Sequence, residues 1–175
     1  MELESLRREI FRQGLKSPLA YCRQYGMMTL MRTLLSILLL SLSLIAQAKG
    51  PSLEALDAHR AALRPFLDAI AKVESNHDDS AIGDAGKAIG RYQIWEAYWS
   101  DALVKAPAIK GEYEDCKGKV YAERVLVAYM LRYAAQAVKD KDYQTLARIH
   151  NGGPKGATKR ATLKYWEKIE KALAK

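Results

Sequence analysis

Cysteine is nearly absent from this chain of 175 residues: only Cys22 and Cys116 occur, too few for a disulfide framework. Cys22 lies ahead of the cleavage site argued below, which leaves Cys116 with no internal partner, either buried or free to pair between chains. Metal-ligand spacing is missing as well. His59, His77, His150 and Cys116 are scattered, and the stretch holding Asp78, Asp79 and Asp84 lacks the sharp-turn glycine and distal glutamate of a calcium loop. No metal and no cofactor is therefore expected. Ser75 and Ser80 lie near His77, but neither sits in a nucleophile elbow, so a serine hydrolase is not assigned. The basic residues form no dense stripe and no nucleic-acid reading motif, which excludes nucleic acid as the partner. There is no internal repeat.

A long membrane-spanning run is also missing. The apolar segment from Leu34 to Ile45 follows Arg32 and ends at Ala46-Gln47-Ala48, well short of the ~20 residues that cross a bilayer. A basic start, a short apolar core and a small-x-small site predict a secretory signal peptide. Residues 1–48 then read as an upstream extension plus that signal, with Met27, Met28 and Met31 as further possible starts. The working protein begins at Lys49, carries no stable membrane anchor after cleavage, and is secreted or periplasmic.

The 127 residues from Lys49 to Lys175 suit one domain with one core, expected as a monomer. They hold 22 lysines and arginines against 17 aspartates and glutamates, a net charge of +5. Such a field favours anionic polymers, a bacterial cell wall among them.

Pro51-Ser52 precedes a helical pattern through Leu53, Leu56 and Leu63, and Pro65 is placed to open a second helix reaching about Ser75. From Asn76 to Gly90 the chain is rich in Asp, Ser and Gly, which predicts turns, with a short hairpin closing near Arg91 to Ile94 as the one β element. An aromatic helix follows over Trp95 to Val104. A long helix then carries Val120, Leu126, Tyr129, Met130 and Tyr133 on its apolar stripe, and Asp142 caps a shorter one that stops at Gly152-Gly153-Pro154. A final helix spans about Thr162 to Leu173.

Glu74 falls where the second helix meets the turns. Leu63, Leu67 and Ile70 precede it at helical spacing, so its carboxyl is placed on the buried face. Burial disfavours the charged form, so the pKa is expected to rise and the group to act as a general acid. Asp84, between Gly83 and Gly86, sits on a turn where solvent keeps it charged; two carboxyls in opposed environments suit glycosidic bond cleavage. Tyr92, Trp95, Tyr98 and Trp99 cluster next to these, with Tyr165 and Trp166 near the C-terminus, and aromatic faces pack on sugar rings while amides such as Gln93 and Asn151 bond their polar groups. The same aromatics at helical spacing also suit a core. His150-Asn151-Gly152-Gly153 brings polar side chains and open backbone to a cleft edge, or else simply ends a helix.

With those residues laid out, the chain resembles the invertebrate-type lysozymes, the destabilase family, over about Ile70 to Ile169. The resemblance rests on Val73-Glu74-Ser75, on Gly90-Arg91-Tyr92-Gln93-Ile94 with Ala97-Tyr98-Trp99, on Val127-Ala128-Tyr129-Met130 with Arg132-Tyr133, and above all on the ten residues Ala147 to Gly156, with Tyr165-Trp166 after them. It implies a mostly helical α+β fold, lysozyme-like, with a small β-hairpin beside the catalytic helix. It also implies hydrolysis of the β-1,4 bond between N-acetylmuramic acid and N-acetylglucosamine in the glycan strands of peptidoglycan. Glu74 would be the general acid, Asp84 the nucleophile or electrostatic stabiliser, and Tyr92, Gln93, Tyr98, His150, Asn151, Gly152 and Gly153 the substrate-binding set. The family's many cysteines are missing here, so the apolar core alone must hold the fold. A lytic transglycosylase working through Glu74 alone and a non-catalytic peptidoglycan-binding protein are the alternatives.

Overall fold

The computed structural model describes residues 50–174 together with Arg8 and Ser36. The apolar run of residues 34–45 except Ser36, the Ala46-Gln47-Ala48 site and Cys22 lie outside the described residues. Among the described residues no helix is long and apolar enough to cross a membrane.

The fold is α+β and mostly helical, and its first two helices follow directly from local capping. Helix α1 spans Leu53–Ala62, its first turn closed by the Ser52 hydroxyl, which accepts from the Ala55 amide at 3.2 Å. Helix α2, Arg64–Ser75, starts after Leu63 with Pro65 in its first turn, where a missing N–H costs nothing. It buries Phe66, Leu67, Ala69, Ile70 and Ala71 and stops at Asn76, whose left-handed backbone (φ 58°) ends the helix. This terminus is what presents Glu74.

Between Asn76 and Glu96 the expected single hairpin is a three-stranded antiparallel sheet instead. Strands β1 (Ile82–Gly83), β2 (Ala88–Ile89) and β3 (Ile94–Trp95) pair in that order, with Ile82 opposite Ile89 and Ile89 opposite Ile94. Strands of two residues are too short to leave an alternating pattern, and the turn Asp84–Gly86 that folds β1 back onto β2 reads from sequence only as a loop. Helix α3 (Glu96–Lys105) leaves β3 directly. After the short 3-10 turn Tyr113–Lys117 comes α4, Lys119–Tyr133, then α5 (Ala135–Asp140), α6 (Tyr143–Gly152) and α7 (Leu163–Leu173). Asp142 caps α6 as expected, its carboxylate accepting from the Thr145 amide at 3.1 Å.

Helix α4 is the centre of the core. Ala122, Glu123 and the unbroken run Val125 to Met130 are buried on it, so it is enclosed on nearly every side. Phe66, Ile70, Ile94, Leu146 and Ile169 are closed to solvent around it. Val120, expected on the buried stripe, is 47% exposed because it belongs to the first turn, which projects beyond the packed layer. Cys116 is buried, and burial foremost raises its thiol to about 12, so it stays protonated and unreactive.

One buried residue on α4 is charged. Glu123 is fully buried and receives Arg60 Nε at 2.9 Å, Arg64 Nη1 at 2.7 Å and the Tyr92 hydroxyl at 2.8 Å. Asp57 on α1 extends the cluster by bonding Arg60 and, through 2.9 and 2.6 Å contacts, Arg124. No spacing announces this: Arg60 and Glu123 are 63 positions apart.

Tyr92 is corrected by the same contact. The sequence places it among the glycan-binding residues, but its ring is fully buried and its hydroxyl is committed to Glu123. The backbone explains why. Tyr92 and Ile94 both face the core, while Gln93 between them takes a positive φ of 47° and turns the other way.

Candidate active site

Five segments of the fold meet around a cleft of about 690 Å³, within the usual range for a ligand site. The end of α2 contributes Glu74, the turn after β1 Asp84, and the segment entering β3 Gln93 and Trp95. Helix α3 adds Tyr98 and Asp101, and the end of α6 adds His150, Asn151, Gly152 and Gly153. The sequence-assigned residues other than Tyr92 thus line one cavity. A groove of about 610 Å³ between α2 and α7 is rimmed by Lys72, Lys168 and Lys171, with Asp68 its only carboxylate, and offers no such acid pair.

The Glu74 side chain is 20% exposed and is gripped at one oxygen. The Tyr165 hydroxyl donates to Oε1 at 2.6 Å, and Nε2 of His150 stands 3.4 Å from the same atom. The other ring nitrogen of His150 is 3.4 Å from the Tyr98 hydroxyl, so α3, α6 and α7 all bear on this carboxyl. Oε2 has no protein partner among the described residues.

Here the expectation of a raised pKa is corrected. Burial is the largest single influence and does push Glu74 upward, but the His150 contact, the Tyr165 bond and the field of Lys168 together bring it below the ordinary glutamate value. The resting carboxyl is therefore a carboxylate held by the Tyr165 hydroxyl, with His150 beside it. It becomes an acid only when a proton is supplied to Oε2.

Asp84 lies on the exposed turn with φ 48°, followed by Ala85 at φ 55°. Two successive left-handed residues without glycine are a costly conformation, and such strain gathers at working sites. Its Oδ2 accepts from the indole N–H of Trp95 at 3.1 Å, a bond that fixes the carboxylate at the rim. Gln93 holds the loop beneath it: its amide donates to the Gly90 carbonyl at 3.0 Å and to that of Ala81 at 3.4 Å. A Cβ on Gly83 would stand 2.0 Å from the Gln93 side-chain oxygen, so a larger residue there would push Gln93 out of its bonds to Gly90 and Ala81. Tyr98 stacks on Tyr129 with ring centroids 3.6 Å apart, which stiffens that wall, and the 45%-exposed Trp95 offers a free aromatic face.

Gly153 closes α6 at φ 76°, its amide bonding Ile149. Asn151 is exposed at the cleft edge and Lys159 reaches it from the following turn, bonded to the Gly152 carbonyl at 2.5 Å. Asp101 and Lys159 are the members that sequence reasoning missed as site residues. Tyr165 stands in the sequence as a glycan-facing aromatic beside Trp166, and its bond to Glu74, 91 positions away, is what the sequence does not show. No group of three or more His, Cys, Asp or Glu able to hold a metal occurs among the described residues.

The destabilase family model matches residues 64–172. The chain is similar to a lysozyme of Magallana gigas, 38% identical over 80 residues, covering 46% of this chain and 56% of that protein. It is also similar to a lysozyme of Meretrix lusoria, 35% identical over 108 residues, covering 60% of this chain and 85% of the other. Of the Magallana gigas and Ostrea edulis lysozymes the match thus spans little more than half the length, 56% and 57%. Among solved structures, the inhibitor-bound lysozyme from Meretrix lusoria superposes with a TM-score of 0.51 at 32% identity, over 62% of this chain and 88% of that one. The Tapes japonica lysozyme does so with a TM-score of 0.52 at 29% identity and the same coverage.

Proposed function

The chain belongs to the destabilase family, and from that membership we propose that it is an exported muramidase, cleaving the β-1,4 bond between N-acetylmuramic acid and N-acetylglucosamine in peptidoglycan. The observation that carries the reading is the cleft that holds both Glu74, with Oε2 uncommitted, and Asp84 on its strained turn. In this reading a proton on Glu74 Oε2 passes to the glycosidic oxygen as the bond to the anomeric carbon breaks. Asp84 attacks or electrostatically stabilises that carbon from the opposite face. Water then adds at the anomeric carbon and returns its proton to Glu74. Trp95 and Tyr98 supply stacking surface for sugar rings, and Asn151, Gly152 and Gly153 supply polar atoms for their substituents.

A second reading is favoured by the exposure of Asp84. A carboxylate at a solvated rim is poorly placed to hold a charged carbon, and a lytic transglycosylase needs only Glu74. Digestion of purified peptidoglycan followed by mass spectrometry separates the two: reducing ends mean hydrolysis, anhydromuramic ends mean transglycosylation. For the muramidase, Asp84→Asn is expected to lower kcat about 10²-fold, the scale of losing one group that stabilises transition-state charge. An unchanged rate together with anhydro ends would transfer the assignment to the second class.

A further inference from the structure

We infer that Tyr165, in the first turn of α7, is a positioning residue for the Glu74 carboxyl: its phenol pins Oε1, so that Oε2 is the oxygen left to carry the proton to substrate. The inference rests on the reading of Glu74 as the acid and names what sets that acid's geometry. Tyr165 is 8% exposed, and its hydroxyl lies 2.6 Å from Oε1. Burial foremost, then the charge of Glu74, raise this phenol well above its ordinary value, so it keeps its proton throughout the working range and can only donate. An oxygen that accepts such a bond has one of its two lone-pair sites taken and its charge partly satisfied, which makes the uncommitted Oε2 the better place for a proton. His150 Nε2, 3.4 Å from the same oxygen, acts in the same direction.

Orientation follows from the same contact. Glu74 stands in the last turn of α2, at a long side chain's length from its backbone, and nothing else among the described residues bonds it from α7. Without the phenol the carboxyl would swing, and a displacement of about 1 Å at a reacting group can cost up to ~10²-fold in rate. The charged and titratable groups that bear on Glu74 are His150 from α6, Tyr165 and Lys168 from α7, and Tyr98 from α3 through His150. Of these only Tyr165 holds it by a short bond.

The test is Tyr165→Phe in the full chain, assayed on purified peptidoglycan across pH, with thermal melting as the check on folding. The expected result is a fall in kcat of about tenfold with KM unchanged within about twofold, the signature of an interaction that matters in the transition state rather than in binding. The basic limb of kcat/KM should also move to higher pH, because the lost donor no longer favours the carboxylate. A 3-fluorotyrosine at position 165 keeps the ring and strengthens the donor, so it should move that limb to lower pH while kcat stays within about twofold. An unchanged kcat and limb in Tyr165→Phe, or a limb that moves the same way in both variants, would overturn the inference. If the Phe variant does not fold, the fluorinated protein decides alone: a lowered limb supports the role and an unmoved one removes it. Full activity in Glu74→Gln would strike the acid assignment itself, whereas an inactive Glu74→Gln beside a silent Tyr165→Phe removes only the positioning role.

Discussion

Glu74→Gln is expected to lower glycan cleavage by about 10³- to 10⁴-fold with no loss of thermal stability, the upper part of the range for removing a general acid. Glutamine preserves the size of the side chain and the carbonyl oxygen that accepts from Tyr165 at the position of Oε1. It replaces Oε2 with an amide that cannot release a proton to a leaving oxygen, and that difference alone is being measured. Turbidity loss of cell-wall suspensions and reducing-sugar release both read it. Retention of more than about a tenth of the parent rate would mean that the proton comes from elsewhere, His150 being the nearest other source.

The pH dependence follows from the position of this acid. Glu74 is held below the ordinary glutamate value, and the acid form is lost as pH rises through that lowered value, so the basic limb of kcat/KM should lie on the acid side of the usual carboxyl range. The profile of kcat reports the bound complex, where a sugar ring adds burial to a carboxyl that burial already pushes upward. The basic limb of kcat is therefore expected at higher pH than that of kcat/KM. Coincident limbs would show that substrate does not desolvate Glu74.

Most of the helix order is legible in the sequence because several helices announce their ends: Ser52 caps α1, Pro65 opens α2, Asp142 caps α6, and Gly153 stops it, whereas the six-residue α5, which has no capping side chain, is not read from the sequence. The site was legible in part for a similar reason. Glu74, Asp84, Gln93 and the run from His150 to Gly153 lie in segments whose local chemistry is unusual for a core, and the fold brings all of them to one cleft. What the sequence could not convey was set by long-range partners. The shift at Glu74 has the sign of its neighbours, not of its burial, and those neighbours come from α6 and α7, more than 70 positions away. Tyr92 carried the same aromatic signal as Tyr98, yet one turns to a buried carboxylate and the other to the cleft. Alternation about Gln93 separates them only once the strand pairing is known.

That buried carboxylate sets the largest effect on folding. Glu123→Ala should destabilise the protein by about 3–5 kcal/mol, since removing the central member of a buried ionic cluster leaves Arg60 and Arg64 with only Asp57 and Asp68 as partners while both stay partly desolvated. Arg60 is 14% exposed and Arg64 34%, so neither guanidinium recovers full hydration when Glu123 is gone, and Tyr92 loses its only acceptor among the described residues while remaining closed to water. For a domain of this size the melting temperature should fall roughly 10–20 °C. A pH series isolates the charge itself. Burial pushes Glu123 upward, but the bonds from Arg64, Arg60 and Tyr92 outweigh it and hold the carboxyl at about 2 against an ordinary 4.5. A carboxyl depressed in this way adds stability that is fully present above the unfolded value and is lost as pH falls toward the folded one, here between about 4.5 and 2. The shift amounts to roughly 3 kcal/mol at pH 7, of which roughly 2 kcal/mol is gone by pH 3. Urea unfolding of the parent and of Glu123→Ala should therefore show a gap that narrows from pH 7 to pH 3. A gap of constant size would mean that Glu123 matters for the space it fills rather than for its charge. The apolar core would then hold α1, α2 and α4 together without help from the ion cluster, in a chain with no disulfide to share that task.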